Sequence, residues 1–348
     1  MATHMIRWRS GIETSIHLNS DLSVLPDFLA DRPRFIMADH TFWDLHGASL
    51  PFQADYLIHA AESNKSMETV TDVYEALQRS GVDRHSVFVA IGGGITTDLG
   101  GFVASTYMRG MPLILCPTTL LAQVDAAIGG KTGVNVRNVK NAAGTFCQPE
   151  HVLLDHGVLR TLDVTQLKNG MAECIKHACI ADDTLFRMFE EWNPDPASLA
   201  IDPAGLGNLI DRSIHTKTSV VQQDEREHGL RRILNFGHTI GHAIELTENI
   251  PHGYAVSVGM VFAARMSEHL GTAEAGLADR IREVLHRWSL PTDSSMSADE
   301  LMNTIRLDKK KQTREIAFVM LERIGKPVIV NLPLGDLEER LRALCQSG

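Results

Sequence analysis

Val87-Phe88-Val89-Ala90-Ile91-Gly92-Gly93-Gly94-Ile95-Thr96-Thr97-Asp98-Leu99-Gly100-Gly101 is the stretch from which the fold is read. Its five leading apolar residues do not alternate with polar ones. That describes a strand buried on both faces, as in a parallel sheet. Glycines then end the strand and a helical pattern follows. Glycine lacks a Cβ, so the backbone there can approach a phosphate, and the free N–H groups of the next helix face it. The pattern is GGGxxxDxGG rather than GxGxxG, so the usual dinucleotide fingerprint is absent. A tight strand-to-helix turn without a ligand fits the same residues, although three consecutive glycines exceed what a turn needs.

Similar punctuation lies on either side. Phe35-Ile36-Met37-Ala38 ends in Asp39, Tyr56-Leu57-Ile58-His59 follows, and 68–78 reads as a helix. Leu113-Ile114-Leu115-Cys116 leads to Pro117-Thr118-Thr119, whose hydroxyls can meet a cofactor or cap a helix. Val152-Leu153-Leu154 gives one more strand. Alternating strands and helices over this half predict a βαβ architecture. Between them, Gly129-Gly130-Lys131 and Val139-Lys140-Asn141 hold lysines among small residues, which suits an anion site better than an isolated lysine does. Beyond about residue 160 helical patterns dominate: 163–180, 183–192, 203–224, 230–245, 254–269 and 275–288. Strand-like runs at 316–321 and 328–331 follow. A length of 348 residues exceeds one small core, so we expect two domains: an α/β domain at 1–159 and a mainly helical one at 160–348.

Bulk properties exclude several classes. A formal net charge of −10 argues against nucleic-acid binding, though not against a local basic pocket. Hydrophobic and charged contents of 44% and 22% are those of an ordinary globular protein. Five cysteines without a CxxC pair fit a reduced, cytoplasmic compartment. Residues 1–9 hold no apolar signal region, and no run reaches the roughly 18 residues a membrane span needs.

Arg231-Arg232-Ile233-Leu234-Asn235-Phe236-Gly237-His238-Thr239-Ile240-Gly241-His242 carries the strongest chemical signal of the second half. A continuous helix over 230–245 would put Asn235, His238 and His242 on one face. Imidazoles at i and i+4 can converge on one divalent cation, although an HxxxH alone is more often an ordinary helical pair. His252 offers a third imidazole after Pro251. Glu173 and Lys176 stand one helical turn apart. The Leu307-Asp308-Lys309-Lys310-Lys311 cluster reads by itself as a solvated loop.

Taken together, these residues resemble the dehydroquinate synthase family of sugar phosphate cyclases, from about residue 62 to 325. The resemblance rests on Glu62-Ser63-Asn64-Lys65, Gly92–Gly94 with Asp98, Arg109-Gly110, Pro117-Thr118-Thr119, Asp125 with Gly129-Gly130-Lys131, Lys140-Asn141, Glu173 with Lys176, the 231–242 segment, His252-Gly253 and Asp308-Lys309-Lys310. It implies an N-terminal Rossmann-like α/β domain that binds NAD, a C-terminal helical domain for metal and substrate, and an active site in the cleft between them. It implies conversion of 3-deoxy-D-arabino-heptulosonate 7-phosphate to 3-dehydroquinate and phosphate in the shikimate pathway. The steps are a transient NAD-dependent oxidation, phosphate elimination, re-reduction and intramolecular aldol closure, which makes the enzyme a carbon–oxygen lyase.

By position, the resemblance makes Glu173, His238 and His252 ligands of a divalent metal, zinc first and cobalt as an alternative. Spacing alone would have paired His238 with His242. The family instead gives His242 a proton-relay role. Substrate contacts then fall to Lys131, Asn141, Lys176, Lys217, Arg231, Asn235, His242 and Lys310. Asp125 holds hydroxyls, and Arg109 reaches the phosphate across a homodimer interface. NAD contacts fall to Asp39, Glu62, Lys65, Gly93, Gly94, Asp98, Thr118, Thr119, Lys140, Thr161 and Leu162. The substrate is a small phosphorylated sugar acid, and no nucleic acid or membrane is expected. Val139, Tyr254 and Ala61 depart from the family pattern, where Gly, Glu and Gly are usual. They leave open a sister cyclase such as aminodehydroquinate synthase. An inosose synthase and a metal- and NAD-dependent polyol dehydrogenase fit the basic residues less well, and a non-catalytic metabolite binder should lack a metal ligand or a proton relay, none of which is missing.

Overall fold

In the computed structural model, residues 2–137, 139–192, 203–308 and 315–346 are described. Eleven strands are found among them: β1 (Ala2–Arg7), β2 (Glu13–Leu18), β3 (Arg34–Asp39), β4 (Tyr56–Ile58), β5 (Val87–Gly92), β6 (Leu113–Pro117), β7 (Lys131–Val136), β8 (Val139–Phe146), β9 (His151–Leu154), β10 (Glu315–Arg323) and β11 (Lys326–Pro333). Seven form one sheet in the order β1-β2-β9-β6-β5-β3-β4. Only β1 and β2 run antiparallel; every other neighbouring pair is parallel. β5 lies inside the sheet, between β6 and β3, and is buried along its whole length, as its unbroken apolar run predicts. Val87, Val89 and Ile91 pack with Ile36, Ala38, Ile114, Cys116 and Leu153 on one face. Phe88 stacks on Phe35 from the other, with ring centroids 5.8 Å apart. Each large side chain buried this way contributes about 1.5–3 kcal/mol. Because β3, β4, β5, β6 and β9 are parallel, their carboxyl ends share one edge, where ligands of open α/β sheets bind.

The chain divides into two compact units. The first comprises Met1–Leu167 with Leu199–Arg226 and holds the sheet, the antiparallel β7–β8 hairpin and the helix Pro203–Gln223. The second comprises Lys168–Ser198 with Glu227–Gly348 and is mainly helical, with the β10–β11 hairpin. Its central helix, His252–His269, is buried along almost all its length and packs on the helix His238–Glu248.

The continuous helix expected over 230–245 does not form. Leu230–Asn235 is a 3-10 segment, and the α-helix starts only at His238. Gly237 takes a left-handed φ of 79°, and a side chain there would meet Met260 N and Val256 O at 2.9 Å. Close packing on the neighbouring helix therefore overrides the local helical spacing. Asn235 is thus not on the helix of His238 and His242. His252 is the first residue of its helix, with Pro251 as N-cap, whereas the sequence suggested a start near Tyr254.

Candidate functional site

In the first unit, β5 ends in Gly92 and the helix Gly94–Thr106 follows at once, with Gly93 as an N-cap that offers no side-chain bond. The first-turn N–H groups thus have no side-chain cap. A Cβ on Gly93 would lie 3.0 Å from Thr119 Cγ2, and one on Gly92 2.5 Å from Thr96 Oγ1. Only glycine lets the strand ends come this close. Backbone donors at a helix N-terminus, with no Cβ in front of them, suit a diphosphate-bearing group such as NAD. Apart from Lys140, every position assigned to NAD lies at or after the carboxyl end of a parallel strand: Asp39 ends β3, and Glu62 and Lys65 follow β4, Gly93, Gly94 and Asp98 follow β5, Thr118 and Thr119 follow β6, Thr161 and Leu162 follow β9.

The contacts there are specific. Lys65 Nζ donates to Asp98 Oδ2 at 2.5 Å and to Asn141 Oδ1 at 2.6 Å. Asn141, assigned to substrate, thus sits with two residues assigned to cofactor. Burial pushes the Asp98 carboxyl up, against the pull of Lys65. Asp39 accepts from Phe42 N at 2.9 Å and Ala60 N at 3.3 Å, tying the end of β3 to the segment after β4. Thr119 Oγ1 accepts from Ala122 N at 3.2 Å, so it caps the following turn. Glu62 Oε1 accepts from Asn135 Nδ2 at 2.8 Å, and Thr161 Oγ1 lies 2.7 Å from His46 Nε2.

Asp125 lies in a π-helical turn, Ala122–Ala126, a local geometry frequent at functional sites. Its carboxylate takes Lys217 Nζ at 2.5 Å. Lys131 and Lys140 are exposed and lie at opposite ends of the β7–β8 hairpin. Arg109 is exposed on a turn where Met108 and Arg109 both have positive φ, 47° and 69°. Two consecutive left-handed non-glycine residues are costly, so the turn is held by its surroundings.

In the second unit, Glu173 and Lys176 lie on the helix Val164–Ala181, are 0% and 1% exposed, and form an ion pair. The other Glu173 oxygen, Oε1, is 3.5 Å from His252 Nε2 and 3.7 Å from His238 Nε2. These separations are long for hydrogen bonds. They match the spacing of about 3.3–3.4 Å between two ligands of a tetrahedral ion bound at about 2.0–2.1 Å. Each ring's other nitrogen is engaged: His252 Nδ1 with Glu245 Oε2 at 2.8 Å, His238 Nδ1 with Phe236 O at 3.2 Å. If Nδ1–H donates in both, both Nε2 lone pairs face Glu173. One carboxylate oxygen and two imidazole nitrogens within 4.8 Å of one another suit a zinc-like divalent cation.

Electrostatics agree. Burial alone would raise Glu173, but Lys176 and the two imidazoles hold its carboxylate well below the usual range. Burial and Lys176 hold His238 well below the ordinary imidazole value, which keeps it neutral. Burial disfavours charge on His252 as well, yet Glu173 and Glu245 raise it to about 9. A cation entering here therefore displaces a proton. His242 lies beside both rings, at centroid distances of 5.2 Å from His238 and 5.8 Å from His252.

Models of the 3-dehydroquinate synthase family match residues 55–169 (N-terminal) and 170–311 (C-terminal). A 3-dehydroquinate synthase of Caldanaerobacter subterraneus is 43% identical over 82% of this chain and 81% of its own length. The chain belongs to the 3-dehydroquinate synthase family. Among solved structures, 2-epi-5-epi-valiolone synthase from Streptomyces hygroscopicus with NAD+ and Zn2+ bound is 30% identical, with a TM-score of 0.85 over 100% of this chain and 99% of that one. A 2-deoxy-scyllo-inosose synthase complexed with carbaglucose-6-phosphate, NAD+ and Co2+ is 25% identical, with a TM-score of 0.85 over 98% of this chain and 100% of that one. The expected fold, a parallel α/β region followed by a mainly helical one, is that of these sugar phosphate cyclases.

Within this dehydroquinate synthase family member, the remaining assigned residues are placed as follows. Arg231 is buried in the 3-10 segment, and Asn235 Nδ2 donates to Glu227 Oε1 at 3.1 Å. Lys310 lies outside the described residues. Sequence reading passed over Glu245, Asn169, Asn135 and His46. Glu245 had a signal: with His238 and His242 it stands at i, i+4 and i+7 of one helix. The others reach their partners through the tertiary fold. None of the five cysteines is in a disulfide, and among the described residues no helix is long and apolar enough to cross a membrane.

Proposed function

We propose that this chain is a 3-dehydroquinate synthase, converting 3-deoxy-D-arabino-heptulosonate 7-phosphate to 3-dehydroquinate and inorganic phosphate. The observation that carries the reading is the convergence of Glu173 Oε1 on the Nε2 atoms of His238 and His252, in a chain 43% identical to a protein of that activity. Zinc is the favoured ion, held by those three residues. When bound, it acts as Lewis acid on the hydroxyl to be oxidised. NAD, received behind β5, supplies the temporary oxidation and takes part in the re-reduction.

The chain's own groups do the rest. Lys176 fixes the second oxygen of Glu173 and keeps that carboxylate ionised. His242 moves protons near the ligand imidazoles. Asp125, with Lys217 against it, receives substrate hydroxyls. Lys131, Asn141, Arg231, Asn235 and Lys310 hold the carboxylate and phosphate, for which arginine forks and lysine charges are suited. Arg109 reaches the phosphate end from a second copy in a homodimer. The shikimate pathway and the cytoplasm are the corresponding setting.

The test is direct. Purified protein with NAD, zinc and the heptulosonate phosphate should release phosphate and form dehydroquinate. No release, with turnover of the amino analogue instead, would move the chain to aminodehydroquinate synthase. Turnover of a simple polyol with net NADH production would make it a dehydrogenase.

A further inference from the structure

His252 is fixed twice. Its backbone is set by the helix it begins: Gly253 N donates to Asn169 Oδ1 at 2.6 Å, one turn before Glu173 on the same helix. A Cβ on Gly253 would lie 2.1 Å from Asn169 O, so the two helices touch backbone to backbone at this point. What the backbone contact leaves free is the ring. Rotation about its side-chain bonds could exchange Nδ1 and Nε2 or swing both away from Glu173. The contact of its Nδ1 with Glu245 Oε2, at 2.8 Å, opposes that rotation. Glu245 lies seven residues after His238 on the next helix, so one helix supplies a ligand and the support of another ligand.

A second grouping, His242, Glu245 and His252, could also be imagined as a cation site. The distances favour the first. Glu245 stands at hydrogen-bond distance from His252, whereas Glu173 stands at the separation of two ligands sharing an ion.

We infer that Glu245 is a positioning residue of the metal centre, turning His252 so that Nε2 faces Glu173. Its action on the centre runs through His252 Nδ1. Carboxylates placed this way behind a ligand imidazole fix its tautomer and raise its basicity, and removing them costs about 10–100-fold in metal affinity. The inference rests on the proposed metal reading of Glu173, His238 and His252.

Cobalt binding to the full-length apoprotein tests it, read from the visible absorption of the bound ion and from titration with Co2+ alone. Glu245→Ala should bind Co2+ about 10–100-fold more weakly than the parent and show an altered absorption envelope. Glu245→Gln retains an acceptor for Nδ1–H, so it should recover much of the affinity. If the alanine variant fails to fold, Glu245→Met, which keeps the bulk but offers Nδ1–H no oxygen, should show the same loss, and parental affinity there would overturn the inference. A folded Glu245→Ala that binds Co2+ with parental affinity and spectrum would overturn the inference while leaving the metal centre intact. Parental Co2+ affinity in His252→Ala would overturn the metal centre itself, and the role of Glu245 with it.

Discussion

At the end of β5 the groups on offer are backbone N–H groups, uncovered because Gly93 and Gly94 have no side chains. Around Glu173 every converging atom belongs to a side chain, except Phe236 O behind His238. The first arrangement is set once the strand and helix are placed. The second needs three rotamers held at once, by Lys176, Phe236 O and Glu245 in turn. Sensitivity to substitution should differ accordingly: a backbone site fails when something is added, a side-chain site when something is removed.

The largest effect is expected at Glu173. Glu173→Gln leaves the buried Lys176 ammonium uncompensated and should cost about 3–5 kcal/mol in denaturant unfolding, along with the bound metal. Replacing Lys176 by Met in the same variant should restore most of the stability but none of the metal binding. If the single variant unfolds like the parent, the pair is not the buried charge pair described.

Next comes the cradle. In Gly94→Ala the new methyl would meet Ala126 Cβ at an ordinary 3.4 Å, so the thermal midpoint should hold. The NAD dissociation constant should rise about tenfold, some 1.4 kcal/mol. Unchanged NAD affinity, by calorimetry, would reduce the three glycines to a tight turn.

Arg109 sharpens the contrast from outside both regions. Being exposed, it should leave stability within about 0.5 kcal/mol when changed to Ala. KM for the phosphorylated substrate should rise well above the parental value, with the proposed homodimer intact in sedimentation. A fully active monomer would remove its cross-subunit role.

The last contrast is acid sensitivity in the sheet unit, spread over about two pH units rather than felt at working pH. His17 Nε2 lies 3.2 Å from His151 Nδ1. Burial, and then His151, lower His17 from 6.5 to about 4. Between those values the unfolded chain takes up a proton that the folded one refuses, so stability falls as pH drops from about 6.5 to 4. The loss should be about 1–3 kcal/mol. His17→Gln should flatten that slope in unfolding curves taken across the range; an unaltered slope would assign the acid sensitivity elsewhere.

Legibility followed unbroken apolar runs. β3, β5, β6 and β9 were readable because their apolar runs are buried. β1 and β8 are mostly exposed and carry no such run, and they were not anticipated. In the site, Glu173 and Lys176 were visible as neighbours one turn apart. The pairing of Asp125 with Lys217 was not, because 92 residues separate them.

By itself the chain of residues determined the strand-glycine-helix unit, the chemical types gathered in its second half and the family they resemble. Those follow from local periodicity and from motif order, which need no partner. Tertiary structure alone decided that the helix breaks at Gly237, that His252 begins a helix against Asn169, and that Glu245 stands behind its ring. Each of these depends on backbones pressed together from distant parts of the chain, and contact of that kind leaves no period in a sequence.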